Sequence, residues 1–422
     1  MLSVHTSPLA ALGGRDTGGM NVYIRQLARE LAARGTHVDV FTRLSDPNIP
    51  RIQHDVPGFR VLSVPAGPEQ AVTREELHEL LPGVVASIED LARAEDATYD
   101  VLHSHYWLSG LAARQLTNLW QVPWAHMSHT LALLKDEHRG PFQQPETALR
   151  REGEDAVLRS ADGVVASNEI ERRELVDRYG LAPSRIHVAP CGVDLGLFCP
   201  ESGLENHATA RQRIGRNSDE RIVLYVGRIE PLKGLDTLLA ASALLRDRVP
   251  GLKLLIAGGS HTSDEPTERE LARLDAIAGS LGLHDVVEFL GPKSQAELPD
   301  LYRAADVCAV PSRYESFGMA ALESLACGTP VVASRTGGLQ STVRDGRNGY
   351  LAPIGDEHVF AERLASVLCE SRLARRLGEE AARTALRYSW QRVADANLGV
   401  YHNLLAPDRT EVPLEVGADL GM

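Results

Sequence analysis

Short apolar runs alternate with amphipathic stretches along nearly the whole chain, and that alternation limits the folds open to it. A first set of candidate strands comprises His37–Thr42, Asp100–His103, Pro123–Ser128, Gly163–Ser167 and Ile186–Ala189. A second set comprises Arg221–Gly227, Lys253–Ala257, Val286–Leu290, Asp306–Val310 and Pro330–Ser334. Between them, stretches such as Val22–Arg34 and Leu235–Arg248 carry a helical period. Strands joined by helical crossovers pair in parallel, with helices on both faces of the sheet. The alternation breaks at Pro190–Arg216, where Pro, Gly and polar residues collect. The expected fold is therefore α/β, with two Rossmann-like, doubly wound domains facing across a cleft. The expected boundaries are an N-terminal domain over 1–190, a linker over 191–216, a C-terminal domain over 217–389, a terminal helix over 390–405 and a fraying tail over 406–422.

Composition narrows the partners. The chain has 422 residues, enough for two domains of roughly 200 residues each. Its net charge is −13 and no dense Lys/Arg run occurs, which argues against nucleic acid and against an anionic lipid surface. No window approaches the roughly 20 apolar residues of a membrane span. The start, Met1–His5, lacks the basic and apolar regions of a secretion signal. Cys191, Cys199, Cys308, Cys327 and Cys369 form no CxxC pair and read as reduced residues of a cytoplasmic protein. The expected partners are small-molecule substrates, with no nucleic acid and no stable membrane association; a homodimer is compatible with the sequence.

In doubly wound sheets, ligands bind beyond the carboxyl ends of the strands, so motifs there carry the chemistry. Gly13–Asn21, with its paired glycines ahead of a helix, allows close backbone approach to an anion; the alternative is a flexible connecting loop. Gly227–Gly234 places Arg228 and Lys233 just past a strand, where cations stabilise a departing diphosphate unless they are only solvated loop charges. Pro311–Glu323 carries Glu315 ahead of a helix starting near Phe317–Gly318 and Glu323 inside it. Glu323 lies in the otherwise apolar Ala320–Cys327, so its carboxylate needs donors: ribose hydroxyls, or a buried Arg in a purely structural role. His103–Gly110 and Ser128–Leu131 also follow strands, which raises His129 above an ordinary structural histidine. No Asp-x-Asp motif or tight ligand cluster occurs, so no metal is expected and the diphosphate charge falls to Arg228, Lys233 and helix dipoles.

Taken together, these motifs resemble the retaining glycosyltransferases of family 4, which have the GT-B fold. The likeness spans nearly the whole chain. Its hallmarks are two glutamates separated by seven residues, here Glu315 and Glu323, and an Arg–Lys pair, here Arg228 and Lys233. Within the family the first half is most similar to the enzymes of mycothiol biosynthesis that glycosylate D-inositol 3-phosphate from UDP-N-acetylglucosamine. The shared stretches are His5–Pro8, Gly18–Tyr23, His103–Gly110 and His129–Leu131. The resemblance implies an acceptor-phosphate site of Tyr106, Thr130, Arg150 and Arg74, the last standing where the family has Lys, with Asn21 at the inositol ring. On the donor side it implies Gly19 at the diphosphate, Glu323 at the ribose, Lys293 beside the uracil, and Glu315 with the amides of Phe317, Gly318 and Met319 at the sugar hydroxyls. It further implies a UDP-sugar as substrate, no cofactor for the chemistry, and catalytic roles for His129, Arg228, Lys233 and Glu315.

The chain departs from the family at its start, where only Met1–Val4 precedes His5-Thr-Ser-Pro8, so the expectation is that a few residues of the first strand are missing. The competing readings are a sucrose-phosphate-synthase-like enzyme acting on fructose 6-phosphate, a lipid glycosyltransferase, a nucleotide-sugar epimerase and a non-catalytic nucleotide-sugar sensor. The Gly18-Gly-Met-Asn21 segment favours inositol phosphate, since sucrose-forming relatives carry Gln after Gly-Gly.

Overall fold

The computed structural model describes residues 1–11, 17–139, 144–200, 207–259 and 265–406. The N-terminal half holds strands β1 (Val38–Arg43), β2 (Ile52–Val56), β3 (Phe59–Val64), β4 (Leu102–His105), β5 (Trp124–Met127), β6 (Gly163–Ala166) and β7 (Ile186–Val188). The C-terminal half holds β8 (Arg221–Val226), β9 (Leu252–Ala257), β10 (Val287–Gly291), β11 (Val307–Val310), β12 (Val331–Ser334) and β13 (Gly349–Ala352). The second sheet is parallel throughout, in the order β10-β9-β8-β11-β12-β13. The order reverses between β8 and β11, so the loops after these two strands open beside each other.

In the first sheet β4 to β7 run parallel in sequence order, and β1 pairs in parallel with β3. Met1–Val4 joins the two sets: Leu2 bridges both Phe41 and Ser104, its N–H donating to the His103 carbonyl at 2.8 Å. Leu2 is fully buried and sits in the middle of the sheet. The parallel expectation fails at one edge. The β2–β3 pair is an antiparallel hairpin turned at Pro57-Gly58, with Gly58 at φ 82°. Ile52–Val56 is polar and largely exposed, as an edge strand can be. With β3 and β13 it was absent from the candidate strands.

The chain passes between the halves twice, and the two passages touch. Val193 bridges Ser389, and its N–H donates to the Tyr388 carbonyl at 2.8 Å. Within the segment read as a linker, His207–Arg213 is helical, and buried Arg211 pairs with Asp306 at 2.6 Å. After the second passage Trp390–Leu405 forms a helix capped by Ser389. It packs on the N-terminal helix Gly19–Ala33, with the Trp390 and Tyr23 rings 5.8 Å apart. One apolar core therefore runs through both halves, each large side chain buried in it contributing roughly 2 kcal/mol.

Candidate functional site

The strand ends of the first sheet converge on a guanidinium. β4 ends at His105, and the next residue, Tyr106, turns at φ 75° to open the helix Trp107–Trp120. His129, just beyond β5, stands at φ 59°. A left-handed backbone at non-glycine residues costs on the order of 1 kcal/mol or more and persists where surroundings enforce it, as at ligand sites. Tyr106 faces Arg150, which rises from the helix Ala148–Ser160 and is only 3% exposed. Arg150 donates to the Tyr106 hydroxyl, to the Thr130 hydroxyl at 3.1 Å and to the Thr130 carbonyl at 3.1 Å. Its guanidinium also lies 4.5 Å over the Tyr106 ring, and that of Arg74 lies 5.7 Å from the same ring. The structure thus brings Arg74, Tyr106, Thr130 and Arg150 together, far from the surface charges that the two arginines could have been.

Glu154 is what permits so buried a cation. Its carboxylate accepts from Arg150 at 3.2 Å, from the Ala132 N–H at 2.8 Å and from the Tyr179 hydroxyl at 2.5 Å. Burial opposes the charge on Arg150, but Tyr106, Glu154 and Glu146 outweigh it and strengthen its hold on the proton. Asn21 lies beside this group with its amide committed. It donates to the Thr6 hydroxyl and the Ser7 carbonyl, both at 2.8 Å, and accepts from the Gly18 N–H at 2.9 Å. It fixes the loop ahead of its helix and keeps one carbonyl lone pair for a ligand.

Histidines fill the space between. The His105 and His129 rings meet through Nδ1 and Nε2 at 3.0 Å, and His103 Nδ1 meets the Tyr401 hydroxyl at 2.8 Å. His5 packs on Tyr106, ring centroids 4.5 Å apart. Burial lowers His129 to about 3, and burial followed by the charge of Arg74 does the same to His5. These rings stay neutral at physiological pH and act as dipoles, not as cations. His5 Nδ1 and His105 Nε2 are buried without a hydrogen-bond partner among the described residues.

The donor side is built differently. Past β8, Arg228 is half exposed and pairs with Glu230 at 3.0 Å, while Lys233 closes the short turn Pro231–Lys233. Gly234 follows at φ 67°, where a Cβ would fall 2.2 Å from the Pro311 carbonyl oxygen, so only glycine lets the two loops meet. Arg313 ties them, donating to the Pro231 carbonyl at 2.9 Å and pairing with Asp236 at 2.9 Å. As a result Lys233 lies 2.6 Å from Glu315 in an ion pair. Burial by itself would raise the Glu230 carboxyl, but Arg228 and Lys233 hold it below the usual range.

Gly318 caps the helix Met319–Ala326 at φ 91°, which leaves the Phe317, Gly318 and Met319 amides at a helix start beside Glu315. Glu323, inside that helix, is buried and accepts from the Tyr302 hydroxyl at 2.9 Å, and among the described residues no Arg pairs with it. Burial raises its carboxyl to about 7. Lys293 follows β10, two strands from Arg228, and lies 3.7 Å from Glu297.

Across the cleft, a Cβ on Gly19 would lie 2.9 Å from Met319 Sδ. The Leu131 N–H donates to the Tyr314 hydroxyl at 3.1 Å. The two groups of candidate residues therefore share one crevice. Gly13–Asp16 of the first glycine-rich motif lie outside the described residues. Sequence reasoning missed the roles of His5, His105 and Glu154. Arg150 and Glu154 stand four apart on one helix, a spacing that pairs opposite charges and that could have exposed Glu154. Among the described residues no group of three or more His, Cys, Asp or Glu side chains is arranged to hold a metal ion, and no helix is long and apolar enough to cross a membrane.

Comparison with known proteins places this geometry. Residues 18–192 match the family described as "Glycosyl transferase 4-like domain", and residues 206–384 match "Glycosyl transferases group 1". The D-inositol 3-phosphate glycosyltransferase of Acidothermus cellulolyticus is 42% identical over 426 residues, covering 100% of this chain and 93% of its own. Sucrose-phosphate synthase from Thermosynechococcus elongatus superposes with a TM-score of 0.87 at 36% identity, over 96% of this chain and 98% of its own. Anabaena HepE, solved with UDP-glucose, shares the fold at a TM-score of 0.70 and 21% identity, over 94% of this chain and 97% of its own. With these likenesses over its whole length, a GT-B architecture and the paired glutamates at the cleft, the chain belongs to the family 4, or group 1, glycosyltransferases.

Proposed function

We propose that the enzyme transfers a sugar, N-acetylglucosamine, from a UDP donor to the hydroxyl of inositol phosphate, with retention at the anomeric carbon. The observation that carries the acceptor assignment is the assembly of Arg74, Tyr106, Thr130 and Arg150 around one point of the N-terminal half. Two guanidinium groups with two hydroxyls suit a phosphate dianion. The relatives named as D-inositol 3-phosphate glycosyltransferases support the same acceptor. In this reading residues 1–190 bind the acceptor, residues 217–389 bind the donor, and 191–216 link them.

On the donor side, Gly19 approaches the diphosphate, Glu323 accepts from the ribose and the loop at Lys293 borders the uracil. Glu315 and the Phe317, Gly318 and Met319 amides hold the sugar hydroxyls. The anomeric carbon–oxygen bond breaks first, through an oxocarbenium-like state, and the acceptor oxygen attacks the same face. The departing diphosphate takes the acceptor proton, and Arg228 and Lys233 stabilise its charge. Lys233 must then exchange Glu315 for phosphate, leaving the carboxylate to the sugar. His129, neutral at working pH, orients sugar and acceptor. Closure of the cleft excludes the water that would hydrolyse the donor.

The test is acceptor-dependent UDP release from UDP-N-acetylglucosamine. Turnover with inositol phosphate and none with free inositol supports the reading. The second reading is glucosyl transfer to fructose 6-phosphate, favoured by the 0.87 TM-score with sucrose-phosphate synthase. Turnover with UDP-glucose and fructose 6-phosphate, and none with inositol phosphate, would replace the first reading by the second. UDP release with neither acceptor present would point instead to hydrolysis.

A further inference from the structure

The residues on either side of Glu315 are fastened to the opposite half of the molecule. On one side, the Tyr314 hydroxyl accepts the Leu131 N–H at 3.1 Å, and Tyr314 is buried. Leu131 directly follows His129 and Thr130, the candidate catalytic and acceptor residues past β5. On the other side, the Ser316 carbonyl accepts from the Asn168 side-chain amide at 2.9 Å. Asn168 lies just past β6 and is itself fixed. Its Oδ1 accepts from the Ile170 and Glu171 N–H groups at 3.0 and 2.9 Å, and its second amide N–H reaches the Ser167 hydroxyl at 2.9 Å. Ser167 in turn is held by the buried Glu171, which accepts its N–H at 2.8 Å and its hydroxyl.

Neither contact is needed to fold one half. Each joins a loop at the strand ends of one sheet to a loop at the strand ends of the other, and together they bracket a single side chain. Behind Glu315 the loop rests on its own half, the Gly338 N–H donating to the Glu315 carbonyl at 3.0 Å. From these contacts we infer that Tyr314 and Asn168 are positioning residues. They lock Glu315 into its catalytic place only when the two halves are closed, and they make the β5 loop and the donor loop one rigid unit. This rests on the donor role proposed for Glu315 and does not depend on which acceptor is used. A side chain displaced by about 1 Å can cost a hundredfold in rate, so two short tethers on its neighbours are where such precision would be set.

Conservative substitutions test this on the full-length enzyme. Tyr314→Phe keeps the ring and removes the acceptor oxygen. Asn168→Asp keeps the cap on its helix and replaces the donating amide by a carboxylate that repels the Ser316 carbonyl. Loss of one such hydrogen bond corresponds to about a tenfold effect. Each variant should lower kcat about tenfold while its affinity for UDP alone, read by calorimetry, stays within about twofold of wild type, since all the proposed nucleotide contacts but Gly19 lie in the C-terminal half. Hydrogen exchange at the Leu131 amide should also accelerate in Tyr314→Phe. Normal kcat in both variants overturns the proposal. So does a parallel loss of UDP affinity, which would mean that the donor half itself is disturbed. Glu315→Gln serves as the control. If it turns over normally, the assigned role of Glu315 fails first, and with it the inference; if it is crippled while both tether variants are not, only the inference fails.

Discussion

The two faces of the cleft solve the problem of binding an anion in opposite ways. On the acceptor face Arg150 is 3% exposed and already held by protein partners at both terminal nitrogens, while its Nε is buried without a partner among the described residues. On the donor face Arg228 is half exposed, and Lys233 is paired with the very carboxylate that should hold the sugar. The first is a fixed cradle whose cost was met during folding. The second is an exchangeable one, in which the donor must displace an ion pair. A fixed site discriminates by shape and charge; an exchangeable site couples binding to rearrangement, and there transition-state stabilisation can exceed ground-state binding.

The sharpest way to break this contrast is to remove the exchangeable cations. Arg228→Ala or Lys233→Ala should lower kcat at least about a hundredfold, the scale of losing one preorganised charge at a leaving group. Thermal unfolding should barely shift for Arg228, whose surface ion pair contributes little to stability. Steady-state kinetics with a calorimetric scan reads both. A near-normal rate in either variant would remove that residue from the mechanism.

The fixed cradle should respond in the opposite sense. Arg150→Met should raise KM for a phosphorylated acceptor by about ten- to a hundredfold, as lost charge-assisted hydrogen bonds do. It should also destabilise the fold by about 3 kcal/mol, because Glu154 is left as a buried charge without its cation. Adding Glu154→Gln should recover much of the stability and none of the KM. Were stability unaffected in the single variant, the cradle would not be the rigid, preassembled element described above.

How far the sequence revealed this asymmetry follows from range. Of the ten strands read from apolar runs most are largely buried, such as β8, β9 and β11, where apolar residues are contiguous. The hairpin strand β2 escaped because Ile52–Val56 is polar and only partly buried, β3 because Arg60 and Ser63 interrupt its apolar run, and β13 because Gly349–Ala352 follows directly on the turn-like Asp345–Asn348. Among the candidate site residues, Tyr106, His129, Arg228 and Glu315 each follow a strand end, where local pattern points, whereas Arg74 and Arg150 lie on helices and came from the family resemblance. What stayed hidden is the pairing across the chain. That Lys233 would meet Glu315, that Tyr314 would reach Leu131 and that Glu323 would face Tyr302 are consequences of packing, not of local pattern.

Glu323 gives a pH-dependent distinction between the faces. Burial raises its carboxyl from 4.5 to about 7. The ribose hydroxyls must donate to it, so the ionised form binds better, and UDP affinity should rise about tenfold as pH goes from 6 to 8. Without nucleotide the sign for stability is reversed: the native state holds the proton more tightly than the unfolded chain, so this contribution is present below about 4.5 and lost as pH rises through 7. Glu323→Gln should flatten the UDP profile and remove this one contribution from the stability profile. On the acceptor face, the lowered His129 should add no step to UDP binding between pH 6 and 8, while its contribution to stability has the opposite sign from that of Glu323, present above about 6.5 and lost as pH falls towards 3. A calorimetric titration of UDP across this range decides; a flat wild-type profile would place the ribose elsewhere.

The smallest expected effect measures how closely the faces meet. A Cβ on Gly19 would lie 2.9 Å from Met319 Sδ and 3.7 Å from its Cγ. Methionine is flexible enough to swing aside, and alanine is at least as good as glycine within a helix. Gly19→Ala should therefore fold normally, with thermal stability equal to wild type or slightly higher. The added methyl stands where the diphosphate and the helix start of Met319 approach each other, so kcat should fall a few-fold, roughly the equivalent of 1 kcal/mol of strain on closure. The role proposed for Met319 lies in its backbone amide, so Met319→Ala in the same chain clears space without removing it, and the double variant should regain most of the lost rate. Recovery would show that the penalty is contact between the halves; an uncorrected loss would show that Gly19 is needed by the diphosphate itself, because the methyl then blocks the ligand and not the opposite wall.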